Sequence, residues 1–447
     1  MAADEQENTV DDDRVDDPEY DWDGYAFDTR QVHAGEQEDL TSGARITPIA
    51  MTAGFRFDSF EDARRRFSGD ADGLIYSRQR NPSGTVAERR IASLEGGSEA
   101  IVVASGQAAI TSALFALAQS GEHIVSTASI YSGTRILFGR SFARFGVTVD
   151  YVWDESDEEE WDRVIRPNTK AIFTETIPNP KNDIVDIDRI ARVAARHGIP
   201  LVVDNTIASP YLIRPIEFGA AIVVHSSTKF LSGHGAGLSG AIVDGGTFDW
   251  GASDRSYPLL TEPASPGAPS VLERHGRTAY ARLAREAVVN DIGPALSPFN
   301  SFLLHQGIET LSLRMDRHVA NSLAIAEWLS THPRVESVDY AGLPGNPRYE
   351  LARRLYNGRT GSVFAVTVRG GEGGARRFLD GLRVISRMTN IGDVRSMALH
   401  PATTTHNSFL PELRDRLGIS AGLIRLSIGI EDVADLITDL DRALKRV

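Results

Sequence analysis

The stretch IDRIARVAARHGIPLVVDNT, residues 187–206, joins the two periodicities that decide the fold class. Four apolar residues recur at the spacing of one helical face, and these are Ile187, Ile190, Ala191 and Ala194. A glycine stands where this helix would end, and the apolar run 200–203 that follows predicts a short buried strand. The chain therefore passes from a helix into a strand, and Asp204 comes directly after that strand.

The same alternation extends in both directions from this stretch. A second helical face is formed by Ile110, Ala113, Leu114 and Leu117. Apolar runs predict strands at residues 101–104, 123–126, 147–152, 170–174, 200–203, 221–224 and 240–243. Strands that alternate with helices predict an α/β fold with a mostly parallel sheet covered by helices on both faces.

The pattern changes after about residue 297. Helical periodicity dominates at 311–329, strands are predicted at 363–368 and 423–428, and a helix is predicted to end the sequence. This pattern indicates a smaller C-terminal α+β domain at 297–447, packed against a larger α/β domain at 71–296.

Composition excludes several classes of protein. The net charge of −14 over 447 residues argues against a nucleic-acid-binding surface. Cysteine is absent, which excludes disulfides, thiolate metal sites and a catalytic thiol. No apolar run predicts a membrane span or a signal segment, so we expect a cytoplasmic protein without membrane partners.

The charged residues are unevenly chosen and unevenly placed. Residues 1–24 contain eleven Asp or Glu against one arginine, which predicts a disordered acidic tail. Only four of the 47 basic residues are lysine: Lys170, Lys181, Lys229 and Lys445. An acidic, lysine-poor chain fits a halophilic host with a salt-rich cytoplasm, although a GC-rich genome would also favour arginine.

Polar residues follow three of the predicted strands. Ser105-Gly106-Gln107 follows the run 101–104 and opens a helix, where backbone N–H groups can bind a phosphate. Asp204 follows the run 200–203, and HSSTK, residues 225–229, follows the run 221–224. The carboxyl ends of parallel strands lie at one edge of a sheet, which is where open α/β sheets bind ligands. Each feature alone could instead be an ordinary turn, a helix cap or a surface lysine.

Together these residues match the needs of one cofactor. Pyridoxal 5′-phosphate requires a lysine for its aldehyde, an acid for its ring nitrogen and neutral donors for its phosphate. Lys229 is then the Schiff-base lysine, and Asp204 is the acid. A nucleotide-binding α/β protein is the remote alternative, but SSTK is not a Walker loop, because the hydroxyl residues precede the lysine.

Several motifs make the chain resemble the Cys/Met-metabolism pyridoxal-phosphate enzymes of fold type I. These motifs are YSRQRNPSG (76–84), LEGG (94–97), SGQAAI (105–110), ETIPNP (175–180), DNTIASP (204–210) and SSTKFLSGHG (226–235). The resemblance implies a fold type I transferase that binds a small amino-acid substrate.

Within that family the chain most resembles the O-acetylhomoserine sulfhydrylases. The stretches that carry this likeness are residues 242–250, 296–318 and NIGDVRSMALHPATTTH at 390–406. The resemblance implies γ-replacement, in which O-acetyl-L-homoserine and sulfide give L-homocysteine and acetate. Cystathionine γ-synthesis and γ-elimination remain alternatives, and the acyl group could be succinyl.

The resemblance also implies roles for individual residues. Lys229, Asp204 and Tyr131 are the implied catalytic residues, with Tyr131 stacked on the pyridine ring. Phosphate binding is implied for Gly106, Gln107, Ser226 and Thr228. Asn179 is implied beside the cofactor and the substrate, and Ser396 is a further substrate-binding candidate. Tyr76 and Arg78 are implied to reach the phosphate of a neighbouring subunit, with residues 25–70 as an interface segment of a homotetramer.

Arg425 also has an argument from strand geometry. In LIRLSIG, alternate apolar residues point to one face of a strand, so Arg425 and Ser427 point to the other face. A planar guanidinium suits the α-carboxylate of an amino acid. A structural ion pair is the competing interpretation.

No histidine pattern predicts a metal site. The histidines include His225, His234, His400 and His406, which we interpret as loop or capping residues.

Overall fold

We describe the fold from a computed structural model. It describes residues 22, 24–36, 42–253 and 255–447. The predicted acidic tail lies outside the described residues, apart from Trp22 and Gly24.

A seven-stranded sheet forms the centre of the larger region, in the order β1-β7-β6-β5-β4-β2-β3. Its strands are β1 (Glu99–Val103), β2 (His123–Thr127), β3 (Thr148–Val152), β4 (Thr169–Glu175), β5 (Leu201–Asp204), β6 (Ile222–His225) and β7 (Gly240–Asp244). β7 runs antiparallel to both of its neighbours, and the pairs from β6 to β3 are parallel. The prediction of a mostly parallel sheet is confirmed.

Both faces of this sheet are covered, as the apolar runs predicted. Along β5, Leu201 and Val203 belong to one core cluster, whereas Val202 belongs to the cluster on the opposite face. All of these side chains are buried, which explains why the strands are continuous apolar runs without polar alternation.

A second, five-stranded sheet follows in the C-terminal region, in the order β10-β11-β12-β9-β8. Its strands are β8 (Val335–Asp339), β9 (Val363–Val368), β10 (Ser386–Arg387), β11 (Met397–Leu399) and β12 (Leu423–Ser427). One of its faces packs in a separate core cluster that contains Ile424 and Leu426. The expected domain boundaries at residues 25, 71 and 297 stay predictions.

Helices connect the strands and cover the sheets. The α-helices of the described residues are α1 (Phe27–His33), α2 (Phe60–Ser68), α3 (Pro82–Glu95), α4 (Gly106–Phe115), α5 (Ser132–Ile136), α6 (Glu158–Val164), α7 (Ile187–Arg196), α8 (Ser209–Leu212), α9 (Pro258–Thr261), α10 (Val271–His275), α11 (Ala279–Leu283), α12 (Asn290–Ile292), α13 (Pro298–Ile308), α14 (Leu311–Ser330), α15 (Tyr349–Tyr356), α16 (Gly371–Gly381), α17 (Pro411–Arg416) and α18 (Val433–Leu444). Among the described residues, no helix combines the length and apolar character needed to cross a bilayer.

Candidate active site

A cleft of about 190 Å³ opens where the parallel strands of the larger sheet end. It brings together most of the site residues predicted from the sequence. Those that line it are Gly106, Gln107, Tyr131, Asn179, Asp204, Ser226, Thr228, Lys229 and Arg425. Polar residues at neighbouring strand ends thus converge on one edge of the sheet, as open α/β sheets require of a ligand site.

The start of α4 forms one end of the cleft. Ser105 caps this helix by accepting a hydrogen bond from the Ala108 N–H at 3.2 Å, which leaves the first N–H groups for a ligand. A Cβ added to Gly106 would stand 2.5 Å from Cβ of Ser226. The missing side chain therefore allows Ser226 to approach the helix N-terminus.

Thr228 lies beside this end of the cleft, but its hydroxyl already has partners. Its Oγ1 donates to the Ser239 carbonyl at 3.0 Å and accepts from the Ser239 N–H at 2.9 Å. These bonds fix the turn that leads to Lys229. The Thr228 hydroxyl is consequently less available to a phosphate than the Ser226 hydroxyl.

Asp204 ends β5 and points into the same cleft. Its Oδ1 accepts hydrogen bonds from the backbone N–H and the hydroxyl of Thr206, at 2.9 and 2.5 Å. The Thr206 hydroxyl in turn accepts from the Ser226 N–H at 2.7 Å. Burial raises the pKa of Asp204, and the hydrogen bonds from Thr206 oppose that shift. Thr206 was not singled out from the sequence, yet it joins the carboxylate to the helix end of the cleft.

Lys229 places its amine inside the cleft, where Nζ donates to Oδ1 of Asn390 at 2.5 Å. Burial, together with the nearby charge of Arg425, lowers the pKa of Lys229 to about 8. At pH 7 roughly a tenth of the amine is therefore unprotonated, far more than for an ordinary lysine with a pKa of about 10.4. Neutral amines are the form that attacks carbonyl groups and accepts protons.

The opposite wall belongs to the C-terminal region. Arg425 lies in the middle of β12, on the face opposite Ile424 and Leu426, so the prediction from strand alternation is confirmed. Its Nη2 donates to the carbonyls of Thr389 and Asn390 at 2.8 and 3.0 Å. Its Nη1 donates to Oδ1 of Asn179 at 3.4 Å, whereas its buried Nε has no partner among the described residues.

The guanidinium of Arg425 makes no ion pair with a carboxylate among the described residues. Only 2% of the residue is exposed, and burial lowers its pKa to about 10. A buried cation that is solvated by carbonyls alone can accept an anionic ligand. This arrangement favours a ligand carboxylate over the structural ion pair that the sequence left open.

Glu175 is a cleft residue that the sequence analysis did not select. It ends β4 next to Asp204, with which it is in register. Its Oε1 accepts a hydrogen bond from the Tyr131 N–H at 2.7 Å. Burial, followed by repulsion from Asp204, raises the pKa of Glu175 well above its usual value. The motif ETIPNP contained this residue, but nothing in the motif assigned it a task.

Three predicted site residues lie elsewhere. Ser396 is fully buried and does not line the cleft, because its hydroxyl donates to Glu431 at 2.8 Å and accepts from the Gly429 N–H at 2.8 Å. The expectation that Ser396 lies beside the substrate is therefore wrong, and its hydroxyl instead joins Glu431 to the main chain of Gly429. Tyr76 and Arg78 also lie outside the cleft of this single chain, where the guanidinium packs 5.6 Å from the tyrosine ring centroid.

The expectation for His225 is wrong. It is the last residue of β6 and fully buried, and its Nε2 lies 2.7 Å from Oε1 of Glu95. Asn205 donates to the same oxygen at 2.8 Å. The described residues contain no group of three or more histidine or acidic side chains that could hold a metal ion.

The residues of the cleft fit pyridoxal phosphate. A lysine amine of lowered pKa, a buried strand-end carboxylate and a helix N-terminus line one cavity. The amine suits the aldehyde, the carboxylate suits the ring nitrogen, and the helix N-terminus suits the phosphate. Fold and site together define a pyridoxal-phosphate enzyme.

Comparison with known proteins identifies which kind. Residues 28–445 match the family model of the Cys/Met metabolism PLP-dependent enzymes, so the chain belongs to this family. An O-acetyl-L-homoserine sulfhydrylase of Corynebacterium glutamicum is 43% identical, with 95% of this chain and 98% of the relative covered. O-acetyl-L-homoserine sulfhydrylase 1 of Thermus thermophilus is 42% identical, over 94% of this chain and 99% of the relative.

A solved structure agrees with these relatives. The crystal structure of a Campylobacter jejuni protein described as an O-acetylhomoserine (thiol)-lyase superimposes with a TM-score of 0.90. It is 33% identical and covers 94% of this chain and 100% of its own. That crystal structure contains a pyridoxyl-lysine phosphate residue.

Proposed function

We propose that this protein converts O-acetyl-L-homoserine and hydrogen sulfide into L-homocysteine and acetate. The γ-carbon–oxygen bond of the substrate breaks, a γ-carbon–sulfur bond forms, and acetate leaves. One observation carries the proposal: Lys229, Asp204 and Arg425 line one cleft in a chain whose relatives are named for this reaction. The cofactor is pyridoxal phosphate, as the family requires.

The cleft suggests how the cofactor is held. Lys229 would bind its aldehyde, Asp204 would pair with its ring nitrogen, and Tyr131 would cover its ring. The backbone N–H groups of Gly106 and Gln107 would hold the phosphate with the hydroxyl of Ser226. The Thr228 hydroxyl would join them by turning its donor away from the Ser239 carbonyl. Asn179, buried and within reach of Arg425, would lie between cofactor and substrate.

The chain's own groups would manage the substrate and its protons. Arg425 would bind the α-carboxylate, with one oxygen on Nε, which has no partner in the part of the chain that the structure describes. Lys229 Nζ, with its lowered pKa, would accept the proton from the α-carbon and could return it later. When bound, pyridoxal phosphate supplies the electron-withdrawing ring that makes removal of this proton feasible.

The charges of the cleft favour small reaction partners. Among the described residues that line it, Lys229 and Arg425 are the cationic side chains, and both already have tasks. Much of the remaining wall is apolar, formed by Ile110, Ile177, Ile207, Leu238 and Ile391. Among the described residues of one chain, this wall provides no further cation for a second carboxylate, which favours acetyl over succinyl esters and sulfide over cysteine.

A competition assay tests the proposal. The enzyme is given O-acetyl-L-homoserine with sulfide and cysteine at equal concentrations, and the products are separated. Homocysteine as the main product supports the proposal. Cystathionine as the main product would reassign the protein to transsulfuration, and products of elimination would reassign it to a lyase.

We further propose a homotetramer in which Tyr76 and Arg78 reach the phosphate in a neighbouring subunit. Tyr76 is 45% exposed in the single chain, although it resembles a residue that binds phosphate. The test mixes two inactive variants, Lys229→Ala and Arg78→Ala, under conditions that exchange subunits. Partial recovery of activity supports a shared site, and its absence in mixtures shown to contain hybrids would contradict it.

We also propose a cytoplasmic enzyme from a salt-rich host. The net charge of −14 supports this, because excess surface carboxylates keep a protein hydrated at high salt. Activity and melting temperature should be maintained or should rise in molar potassium chloride. Loss of both in molar salt would assign the arginine bias to genome composition instead.

A further inference from the structure

Glu175 is a buried titratable group that the proposed reaction does not use. Only 5% of it is exposed, and it stands at the end of β4 beside a second carboxyl group, Asp204. Two carboxyl groups placed together in a buried cleft destabilise the fold unless hydrogen bonds compensate for the lost solvation. Glu175 accepts such a bond from the Tyr131 N–H at 2.7 Å, which indicates that it positions Tyr131.

The main chain of Tyr131 needs this acceptor. Tyr131 occupies the N-cap position of α5, a helix of five residues, and its side chain makes no capping hydrogen bond within the described residues. Glu175 reaches it from a strand end 44 residues further along the chain. The start of this short helix is thus attached to the same sheet edge that carries Asp204.

The position of the Tyr131 ring depends on a second residue, Gly133. A Cβ added to Gly133 would stand 2.9 Å from Cζ of Tyr131, and closer still to Cε1. It would also lie 3.1 Å from Nε2 of Gln107. The ring therefore rests on the bare backbone of Gly133, at the edge of the cleft where 41% of Tyr131 is exposed. Any side chain at position 133 would displace the ring.

We propose that Glu175 and Gly133 are positioning residues for the aromatic wall of the cofactor site. Glu175 holds the main chain of Tyr131, and Gly133 leaves the space that its ring occupies at the edge of the cleft. This inference rests on the proposed stacking of Tyr131 on the cofactor ring.

The neighbourhood of Glu175 also predicts which of its forms acts. Burial and the neighbouring Asp204 raise the pKa of Glu175 well above its usual value, which favours its neutral form. A neutral carboxyl group can still accept the Tyr131 N–H through its carbonyl oxygen. A glutamine at position 175 should therefore still accept the Tyr131 N–H, whereas an alanine should not.

The test uses the holoenzyme and two readouts besides turnover. The dissociation constant of pyridoxal phosphate measures cofactor retention, and circular dichroism in the cofactor absorption band measures ring orientation. Glu175→Ala and Gly133→Ala should each raise the dissociation constant by roughly three- to tenfold, the effect of one lost hydrogen bond or contact. Both variants should also reduce the dichroic signal.

Matched controls separate positioning from general damage. Glu175→Gln keeps the acceptor and should retain the cofactor affinity and the dichroic signal. Gly139→Ala adds a Cβ that has no described atom within 4 Å, and it should leave both readouts unchanged. A Glu175→Gln variant as impaired as Glu175→Ala would overturn the inference, as would a Glu175→Ala variant with unchanged affinity and dichroism.

A double variant keeps the inference testable even where Glu175→Ala destabilises the fold. If Glu175 acts through Tyr131, adding Glu175→Ala to Tyr131→Ala should change cofactor affinity little further. An equal loss in both backgrounds would refute the inference. If the unmodified protein retained no pyridoxal phosphate, the proposed function would fail instead, so the two failures are distinguishable.

Discussion

The two walls of the cleft are built in contrasting ways. The wall from the seven-stranded sheet carries the acids, which are held by groups at the ends of its own strands: Thr206 binds Asp204 from two residues away, and the Tyr131 N–H binds Glu175. The wall from the C-terminal region carries Arg425, which is fixed by the carbonyls of Thr389 and Asn390 and contacts Asn179 across 246 residues. One wall is negative and set by strand ends, and the other is positive and set by tertiary packing.

Lys229 lies between these walls, and this position explains its properties. The turn that carries Lys229 follows β6 and so belongs to the acidic wall. Its amine, however, donates a hydrogen bond to Asn390 on the cationic wall, and burial together with the positive charge of Arg425 lowers its pKa. The acidic wall therefore suits the cofactor ring, and the cationic wall suits the substrate carboxylate. The expected effects of substitution on activity and binding therefore depend on which wall the residue belongs to.

The largest effect is expected at the residue that both walls share. Lys229→Ala removes the amine, so turnover should fall by at least about a thousandfold, within the range for loss of a general base. Thermal unfolding should change little. Lys445→Ala is the matched control, because Lys445 is an exposed lysine paired with Asp441 and should retain full activity. Substantial turnover by the Lys229 variant would remove the assignment.

The acidic wall should be next in magnitude. Asp204→Asn keeps the shape of the side chain but loses the charge, so we expect a loss of about a hundredfold in kcat, comparable to removing one electrostatic stabiliser. Thr206→Val should lose less, about tenfold, because it removes only the hydroxyl that orients the carboxylate. Steady-state kinetics measure both, and the reverse order would mean that orientation matters more than charge.

The acidic wall is also the part that the sequence predicts best. Asp204, Ser226 and Lys229 could be placed because strand periodicity locates each strand end, and parallel strand ends meet at one edge. The helix start at Gly106 could be placed in the same way, because it also comes directly after a predicted strand. Glu175 also ends a strand, but a carboxyl group there has no fixed meaning until its contact with Tyr131 is known.

On the cationic wall, Arg425→Lys keeps the charge but loses the planar fork. The KM for O-acetyl-L-homoserine should rise by about ten- to a hundredfold, with a smaller change in kcat, because carboxylate binding is lost more than chemistry. Initial rates at saturating sulfide measure this. A fall in kcat at constant KM would show that Arg425 acts on the reaction rather than on substrate binding.

The influence of the cationic wall on Lys229 can be measured by pH. Capture of pyridoxal phosphate by the cofactor-free protein needs the unprotonated amine, so its rate should increase as pH rises through about 8, the pKa of Lys229. Arg425→Met removes a positive neighbour and should raise that pKa, which moves the midpoint to higher pH. Arg425→Lys retains the charge and should leave the midpoint nearer its original value; equal midpoints in all three proteins would contradict the coupling.

Most of the cationic wall could not be predicted from local pattern. Strand alternation gave the face of Arg425, but Thr389 and Asn390 lie in the loop between β10 and β11, whose path depends on packing against the Lys229 turn. Ser396 was misplaced for the same reason. It lies only six residues from Asn390, yet the chain turns it towards Glu431 and away from the cleft.

The smallest expected effect belongs to Asn390, the contact between that loop and the amine. Asn390→Ala removes an acceptor for Lys229 but leaves the backbone carbonyl that binds Arg425, so cofactor capture at neutral pH should change by only about two- to tenfold. Asn390→Asp tests the sign, because a negative charge would favour the protonated amine and slow capture more than alanine does. If the aspartate variant captured the cofactor faster than the alanine variant, Asn390 would act by steric support, and the polarity of the cleft would not extend to the loop.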